Sequence, residues 1–187
     1  MTDLNKLLTP LFLSEKEIRK IIELMFFAYR DFTSEPDSLL EKINFGRAHH
    51  RVIYFVGKKE KITIKELLSI LQITKQSLSR VLNQLVKEKY IILSTGEDKR
   101  TKSLSRVLSQ LVKEKYILVS VGFDKRTKNL SLTKKGQDLE YELSTIQINK
   151  IRKIIIDADE SDINGFKTIL YKMIEEKNKS KFDEINN

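Results

Sequence analysis

Apolar residues recur at helical spacing near the start of the chain. One predicted helix face, with positions i, i+3, i+4, i+7 and i+11, holds Ile18, Ile21, Ile22, Met25 and Tyr29. Ser14 precedes this pattern and can act as its N-cap, so we predict a helix that ends at about Phe32. Pro36 fits the first turn of a separate short helix, which Gly46 would end.

The middle of the chain carries the pattern of two short helices joined by a tight turn. A helix with Val52 and Val56 is followed by a polar turn at residues 57–61. Thr63 can then cap a helix up to about residue 71, and Thr74 can cap the next helix, predicted over residues 75–89. The apolar face of that second helix holds Leu78, Val81, Leu82, Leu85 and Val86. Two short helices with the turn 72–74 between them are a helix-turn-helix.

The outer face of the helix over residues 75–89 is made of hydrogen-bonding and cationic side chains. Such a face can enter the major groove of DNA, where Arg reads guanine and Asn or Gln reads adenine. An ordinary surface helix with a polar exterior is the alternative for any one such helix. The DNA-contacting residues that we predict here are Thr74, Lys75, Gln76, Ser77, Ser79, Arg80 and Asn83.

A short β-rich segment follows the helix and favours the DNA interpretation. Residues 90–94 are rich in β-branched residues and lead through Gly96 into the charged run at residues 97–100. We interpret this segment as the first strand and the tip of a wing. Lys99 and Arg100 at such a tip can reach DNA phosphates or the minor groove.

A repeat interrupts this simple pattern. Residues 77–102 (copy one) are followed without a gap by residues 103–128 (copy two), and 21 of the 26 aligned positions are identical. We interpret the repeat as a tandem duplication of the helix and the first wing strand. The turn 72–74 precedes copy one alone, so we predict that copy one docks as the DNA-reading helix. The return strand at residues 129–132 follows copy two alone, so we assign it to copy two. We therefore predict that copy two forms an additional helix that leads into the complete wing hairpin.

Two features of the repeat stay open at the level of sequence. Residues 101–105 resemble residues 127–131, so they could be a return strand for copy one or the first turn of a second helix. Arg106, in the second copy, is the counterpart of Arg80 and is a further candidate for DNA contact. We expect it to matter less than Arg80.

Both ends of the chain contain amphipathic helices outside this unit. The C-terminal pair is predicted over residues 133–157 and 160–177. We therefore predict a mainly α fold with a small β wing, in which a winged helix-turn-helix (46–133) joins a helical dimerisation layer (1–45 and 134–178). Packing of these helices within one chain is the alternative. Residues 179–187 are polar and are predicted to be a flexible tail.

Charge is concentrated in the repeat. The formal net charge is +9, and residues 77–128 hold 12 basic and 5 acidic side chains. Such a basic block suits phosphate backbones or anionic lipid, although a solvated face would look similar. The chain lacks Cys, which excludes disulfides and thiolate sensors, and it has no apolar stretch long enough to span a membrane. We expect a cytoplasmic protein.

Enzyme chemistry has no support in the sequence. There is no phosphate-cradling Gly loop, no HExxH pattern and no nucleophile within a catalytic motif. We predict no cofactor and no metal. His49 and His50, with Arg47 and Arg51, could serve helix packing or contact a ligand, but adjacent His residues do not face the same side of a helix and are poor joint metal ligands.

The helix-turn-helix and the wing resemble the MarR (multiple antibiotic resistance regulator) family. The resemblance lies in residues 64–68, in residues 73–82, and in the segment from Asp124, Lys125 and Arg126 to residues 132–136. It covers nearly the whole chain once one copy of the repeat is set aside. It implies a homodimer on duplex DNA, with recognition helices in consecutive major grooves. It also implies a minor-groove Arg126 steadied by Asp124, with Arg100 and Asp98 as duplicates, and a small-molecule effector.

These observations predict a sequence-specific, dimeric DNA-binding transcription regulator, of the repressor type and responsive to a ligand. The rival hypothesis is a dimeric interaction protein whose DNA binding is impaired because the second copy obstructs the groove. A salt-dependent gel shift would separate the two hypotheses.

Overall fold

The computed structural model describes residues 13–95 and 128–186. Along these residues the chain forms α1 (Glu15–Glu41), α2 (Arg47–Lys58), β1 (Ile62–Thr63), α3 (Ile64–Leu71), α4 (Lys75–Lys87), β2 (Ile91–Thr95), β3 (Lys128–Leu132), α5 (Lys134–Ile154), α6 (Glu160–Met173) and α7 (Glu176–Asn186). The predicted fold class, mainly helical with a small β wing, is confirmed.

Helix α1 is one continuous helix, and the predicted break near Phe32 is wrong. It begins at a capping box, in which Ser14 N donates to Glu17 Oε2 at 2.7 Å and Glu17 N donates to Ser14 Oγ at 3.3 Å. Pro36 lies inside the helix and is buried on the same face as Thr33 and Leu40. Burial of this face favours the helical path although Pro36 has no N–H to donate.

The helix-turn-helix forms as predicted, and its caps follow from the sequence. Thr63 Oγ1 accepts from Glu66 N at 3.1 Å, and Glu66 Oε2 accepts from Thr63 N at 2.7 Å. The hydrogen bond from Lys59 and the bond from the Thr63 backbone lower the pKa of Glu66 to about 2. Gln72 ends α3 in the left-handed conformation with φ 53°. This residue turns the chain from α3 toward α4.

The three strands form an antiparallel sheet in the order β1-β3-β2. Ile62 pairs with Leu130 on one side of β3, and Leu93 pairs with Leu130 on the other. The sequence did not reveal β1, because a strand of two residues leaves no alternating pattern. The pairing makes β3 the central strand, which closes the wing hairpin against the helix-turn-helix.

The return strand belongs to copy one, so our assignment of it to copy two is wrong. Its register runs from Ile91 opposite Leu132 to Thr95 opposite Lys128. Thr95 and Lys128 are separated by 32 residues, 96–127. The physical reason is proximity: β2 leaves α4 directly, and α4 is held in the core, so β2 already lies beside β3. The extra helix that we predicted in copy two lies outside the described residues. The same holds for residues 101–105, which could be a return strand or the first turn of that helix.

The core lies between the helix-turn-helix, the sheet and the first half of α5. Helix α4 contributes its apolar face, as the periodicity predicted. The fully buried side chains of the core include Leu40, Ile53, Leu67, Leu78, Leu82, Leu85, Ile91, Leu130 and Leu143. Burying each such aliphatic side chain is worth about 1.5–3 kcal/mol, so α4 is strongly held.

Residues 176–186 form helix α7, which includes most of the segment that we predicted to be a flexible tail. Helix α7 packs back on the chain: the Phe182 ring lies edge-on to Tyr171 at 5.9 Å, and Lys59 Nζ lies 3.7 Å from Glu184 Oε1. Phe182 and Ile185 are three residues apart and so share one helix face. Those contacts outweigh the polar composition of the segment. Among the helices described, none has the length and apolar character needed to cross a membrane.

Candidate nucleic-acid interface

Helix α4 presents a polar face to solvent because its apolar face is fixed in the core. Leu78 and Leu85 are fully buried, which fixes the rotation of the helix. The opposite side exposes Gln76, Arg80, Asn83 and Lys87, while Ser79 is half-buried. The Arg80 guanidinium has no ion-pair partner within the described part of the chain. This face therefore offers free donors at the spacing that a groove-reading helix needs.

The N-terminus of α4 is exposed and capped. Thr74 Oγ1 accepts from Ser77 N at 3.1 Å and donates to Ser77 Oγ at 3.0 Å. Lys75 and Ser77 are exposed at the same end. Backbone N–H groups and the positive end of the helix dipole favour an anion such as a phosphate at this position.

A hydrogen-bonded chain positions α4 against α2, and the sequence did not reveal it. His49 Nε2 lies 2.9 Å from Gln84 Oε1, and Gln84 Nε2 donates to Asn44 O at 3.1 Å. The His49 ring stacks on Phe45 at 4.6 Å. Desolvation by burial lowers the pKa of His49 below its ordinary value, although its bond to Gln84 acts in the opposite sense. The one available signal in the sequence was a polar residue, Gln84, directly before the apolar position Leu85.

The arginines beside the two histidines are used in contacts within the chain. Arg47 Nε lies 2.7 Å from Asp37 Oδ2, and Arg51 Nη2 donates to Leu71 O at 3.0 Å. The second bond satisfies a carbonyl at the C-terminus of α3 with a cation. These contacts fit the helix-packing interpretation of residues 47–51.

The base of the wing is tied to the start of α5. Thr133 Oγ1 donates to Lys89 O at 2.6 Å, and Lys135 Nζ lies 4.0 Å from the centre of the Tyr90 ring. The backbone N–H of Thr133 donates to Tyr90 O at 3.0 Å. The wing strands thus emerge beside α4 in a fixed position. The tip candidates Lys99, Arg100, Asp124, Lys125 and Arg126, together with Arg106, lie outside the described residues.

Comparison with known proteins shows which family has this fold and this sequence. The sequence model described as "MarR family" matches residues 43–101, which run from before α2 to the second-last residue of copy one. The HTH-type transcriptional regulator PetP of Rhodobacter capsulatus is 36% identical over 168 residues, covering 89% of this chain and 86% of PetP. The chain belongs to the MarR family. The regulators it resembles agree with our expectation that it is not an enzyme.

Solved structures share the fold of this MarR protein. FabT of Streptococcus pneumoniae, solved in complex with DNA, has a TM-score of 0.62 at 18% identity, with 83% of this chain and 94% of FabT covered. A MarR transcriptional regulator from Methanosarcina mazei Go1 has a TM-score of 0.56 at 18% identity, with 86% and 89% covered. The winged helix-turn-helix and the flanking helices are therefore those of MarR structures.

A cavity of about 390 Å³ lies between α2, α3 and α7. Its lining is mostly apolar and aromatic, with two lysines and several uncharged polar residues. It includes Tyr54, Phe55, Lys58, Ile70, Gln72, Asn178, Lys181 and Phe182. Lys181 Nζ donates to Ser69 O at 3.4 Å. In the described ranges no cluster of His, Asp and Glu is arranged to hold a metal ion.

Proposed function

We propose that this MarR protein is a sequence-specific duplex-DNA-binding regulator that represses transcription. The observation that carries the proposal is the exposed polar face of α4. Its Gln76, Arg80 and Asn83 lie on the side opposite the buried leucines of the helix. Arg suits the O6 and N7 acceptors of guanine, and Asn or Gln suits the N6 and N7 edge of adenine. A repressor of this type acts by occupying its site on the DNA.

The surroundings of α4 support binding to the DNA backbone. Thr74, Lys75 and Ser77 surround the helix N-terminus, where N–H groups can bind phosphate. We assign the minor-groove contact to the wing arginines Arg100 and Arg126, with Lys99, Lys125 and Asp124 beside them and Arg106 as a weaker contributor. FabT, which shares this fold, was solved in complex with DNA, which is consistent with the same use of the fold here.

We further propose that the protein acts as a homodimer through its terminal helices. Helices α1 and α6 expose large apolar side chains: Phe26 is 72% exposed and Ile169 is 62% exposed. Apolar surface of this extent on two helices, one near each end of the sequence, is typical of an interface. We accordingly divide the chain into a DNA-binding unit at 46–133 and a dimerisation layer formed by 1–45 and 134–178.

A gel shift at increasing salt tests the DNA proposal. Fragments of the source genome are incubated with the full chain between 50 mM and 200 mM salt. With about six to ten phosphate contacts per dimer, affinity should fall by about a thousandfold or more over this range. Absence of binding at low salt would favour the interaction-protein hypothesis. Transcription from a bound promoter fragment should decrease when the protein is added, and an increase would contradict the repressor role.

The cavity beside α7 is our proposed effector site. Its aromatic lining fits an apolar ligand, and Lys58 and Lys181 fit an anionic group on that ligand. We would titrate the protein with sodium benzoate by calorimetry, using benzyl alcohol as the neutral control. The double variant Lys58→Gln/Lys181→Gln should weaken binding of benzoate. Equal affinities for benzoate and benzyl alcohol would contradict an anion-binding role for these residues.

A further inference from the structure

Copy one occupies a surface that we call the socket: the parts of α2, β3 and the start of α5 that contact α4 and β2. Within copy one, the buried side chains that fill it are Leu78, Val81, Leu82, Leu85, Tyr90 and Ile91. All six have identical counterparts 26 residues later, namely Leu104, Val107, Leu108, Leu111, Tyr116 and Ile117.

The five differences between the copies avoid these buried positions. Asn83 is exposed, Ile92 is 55% exposed and Leu93 is half-buried. The remaining two differences fall at residues 95 and 97, at the end of β2 and beyond it. Replacing copy one by copy two in the socket would therefore leave the fully packed contacts chemically unchanged.

The polar contacts of copy one with the socket are duplicated as well. Gln84 bonds to His49 and to Asn44 O, and copy two has Gln110 at the matching position. Tyr90 packs edge-on against Phe45 at 5.1 Å and lies under Lys135, and its counterpart is Tyr116. The groups of the socket that bond to Gln84, namely His49 and Asn44 O, would therefore keep a hydrogen-bonding partner.

The chain length on either side permits either occupant. With copy one docked, three residues join α3 to α4 and 32 residues join β2 to β3. With copy two docked in the same register, 29 residues would join α3 to the docked helix, and six residues would join the docked strand to β3. One connection lengthens as the other shortens, and closure entropy depends only weakly on length.

We propose that the socket accepts copy two in place of copy one, so that the chain has two alternative DNA-reading helices. Copy one is the major occupant because Thr74 caps α4, whereas the matching position before copy two is Arg100, which has no oxygen to accept a capping bond. The exchange would present Ser109 in place of Asn83 and Lys102 in place of Gln76 on the outer face. This consequence for DNA reading rests on the proposed function, but the exchange itself does not.

Aspartate substitutions in the full chain test the exchange. Leu82→Asp puts a carboxylate at a fully buried position of copy one, and docking of copy two would relieve it. Leu67→Asp is the matched control, because Leu67 is equally buried in α3 but has no duplicate. Backbone hydrogen exchange of α3 reports whether the domain is folded. Leu82→Asp should keep α3 protection within about tenfold of the parent, whereas Leu67→Asp and Leu82→Asp/Leu108→Asp should lose it.

Loss of protection in Leu82→Asp equal to that of the double variant would overturn the proposal. A milder series gives a second measurement. If the copies substitute for one another, Leu82→Ala/Leu108→Ala should destabilise the protein by more than its two single variants combined. Strict additivity would also overturn the exchange. Because both readouts are independent of DNA, failure of DNA binding would affect the proposed function alone.

Discussion

The imidazole of His49 donates through Nε2 to Gln84 Oε1 at 2.9 Å and so ties the start of α2 to the middle of α4. The proton can be assigned to Nε2 because Nδ1 accepts from Gly46 N at 3.1 Å. Protonation of Nδ1 would place two donors against each other. The helix that carries the proposed DNA-reading face is thus held by a neutral histidine.

We expect the stability of the protein to fall between pH 7 and pH 5. Burial lowers the pKa of both His49 and His50. A base with a lowered folded pKa contributes its full stability above its unfolded pKa of about 6.5, and this contribution is lost as the pH falls through the folded pKa. Glu66 has a pKa of about 2, so its own contribution to the free energy of unfolding is lost only at more acidic pH.

Urea unfolding at several pH values measures this dependence. His49→Gln removes one of the two titrating groups, so its free energy of unfolding should depend less on pH over the same window. If the free energy of unfolding of the variant depended on pH as steeply as that of the parent, His49 would have the same pKa in the folded and the unfolded chain.

Gly136 is required at the junction of α5 and the wing. A Cβ at this position would lie 2.1 Å from the carbonyl oxygen of Tyr90, which already accepts from Thr133 N. Gly136→Ala should therefore lower the free energy of unfolding by about 1–3 kcal/mol. Gly165→Ala, where nothing lies within 4 Å, should instead raise it by about 0.5–1 kcal/mol. Equal effects at the two sites would contradict the steric argument.

The two copies should differ in their importance for DNA binding. Arg80 lies on the exposed face of the docked helix α4, so Arg80→Ala should cost about 1–3 kcal/mol in affinity for a specific site. Arg106→Ala is the matched control and should cost less. Fluorescence anisotropy with one labelled operator fragment measures both. If Arg106→Ala abolished binding and Arg80→Ala left it intact, copy two would be the main reading helix.

The dimerisation proposal predicts a change of mass on substitution in α1. Phe26→Glu places a charge in the exposed apolar face and should shift the protein from dimer to monomer in size-exclusion chromatography with light scattering. Ile92→Glu is the control, because Ile92 is also exposed and apolar but lies on the wing strand β2. A Phe26→Glu variant that remained dimeric at micromolar concentration would place the interface elsewhere.

The sequence by itself determined the helix-turn-helix and the outward face of α4. The caps Thr63 and Thr74 and the apolar periodicity of residues 78–85 are local signals, and local hydrogen bonds and burial confirm them. The polar face then follows by geometry, since the positions opposite the buried ones must face solvent. These features needed no knowledge of distant contacts.

Only the tertiary structure decided which segments pair. By sequence, two nearly identical segments could pair with β3, and proximity to the docked α4 selected the segment of copy one. The helix through Pro36 and the helical residues 176–186 likewise depend on distant neighbours, such as Lys59 for Glu184. Local propensity argued against both, and burial and packing across the fold outweighed it.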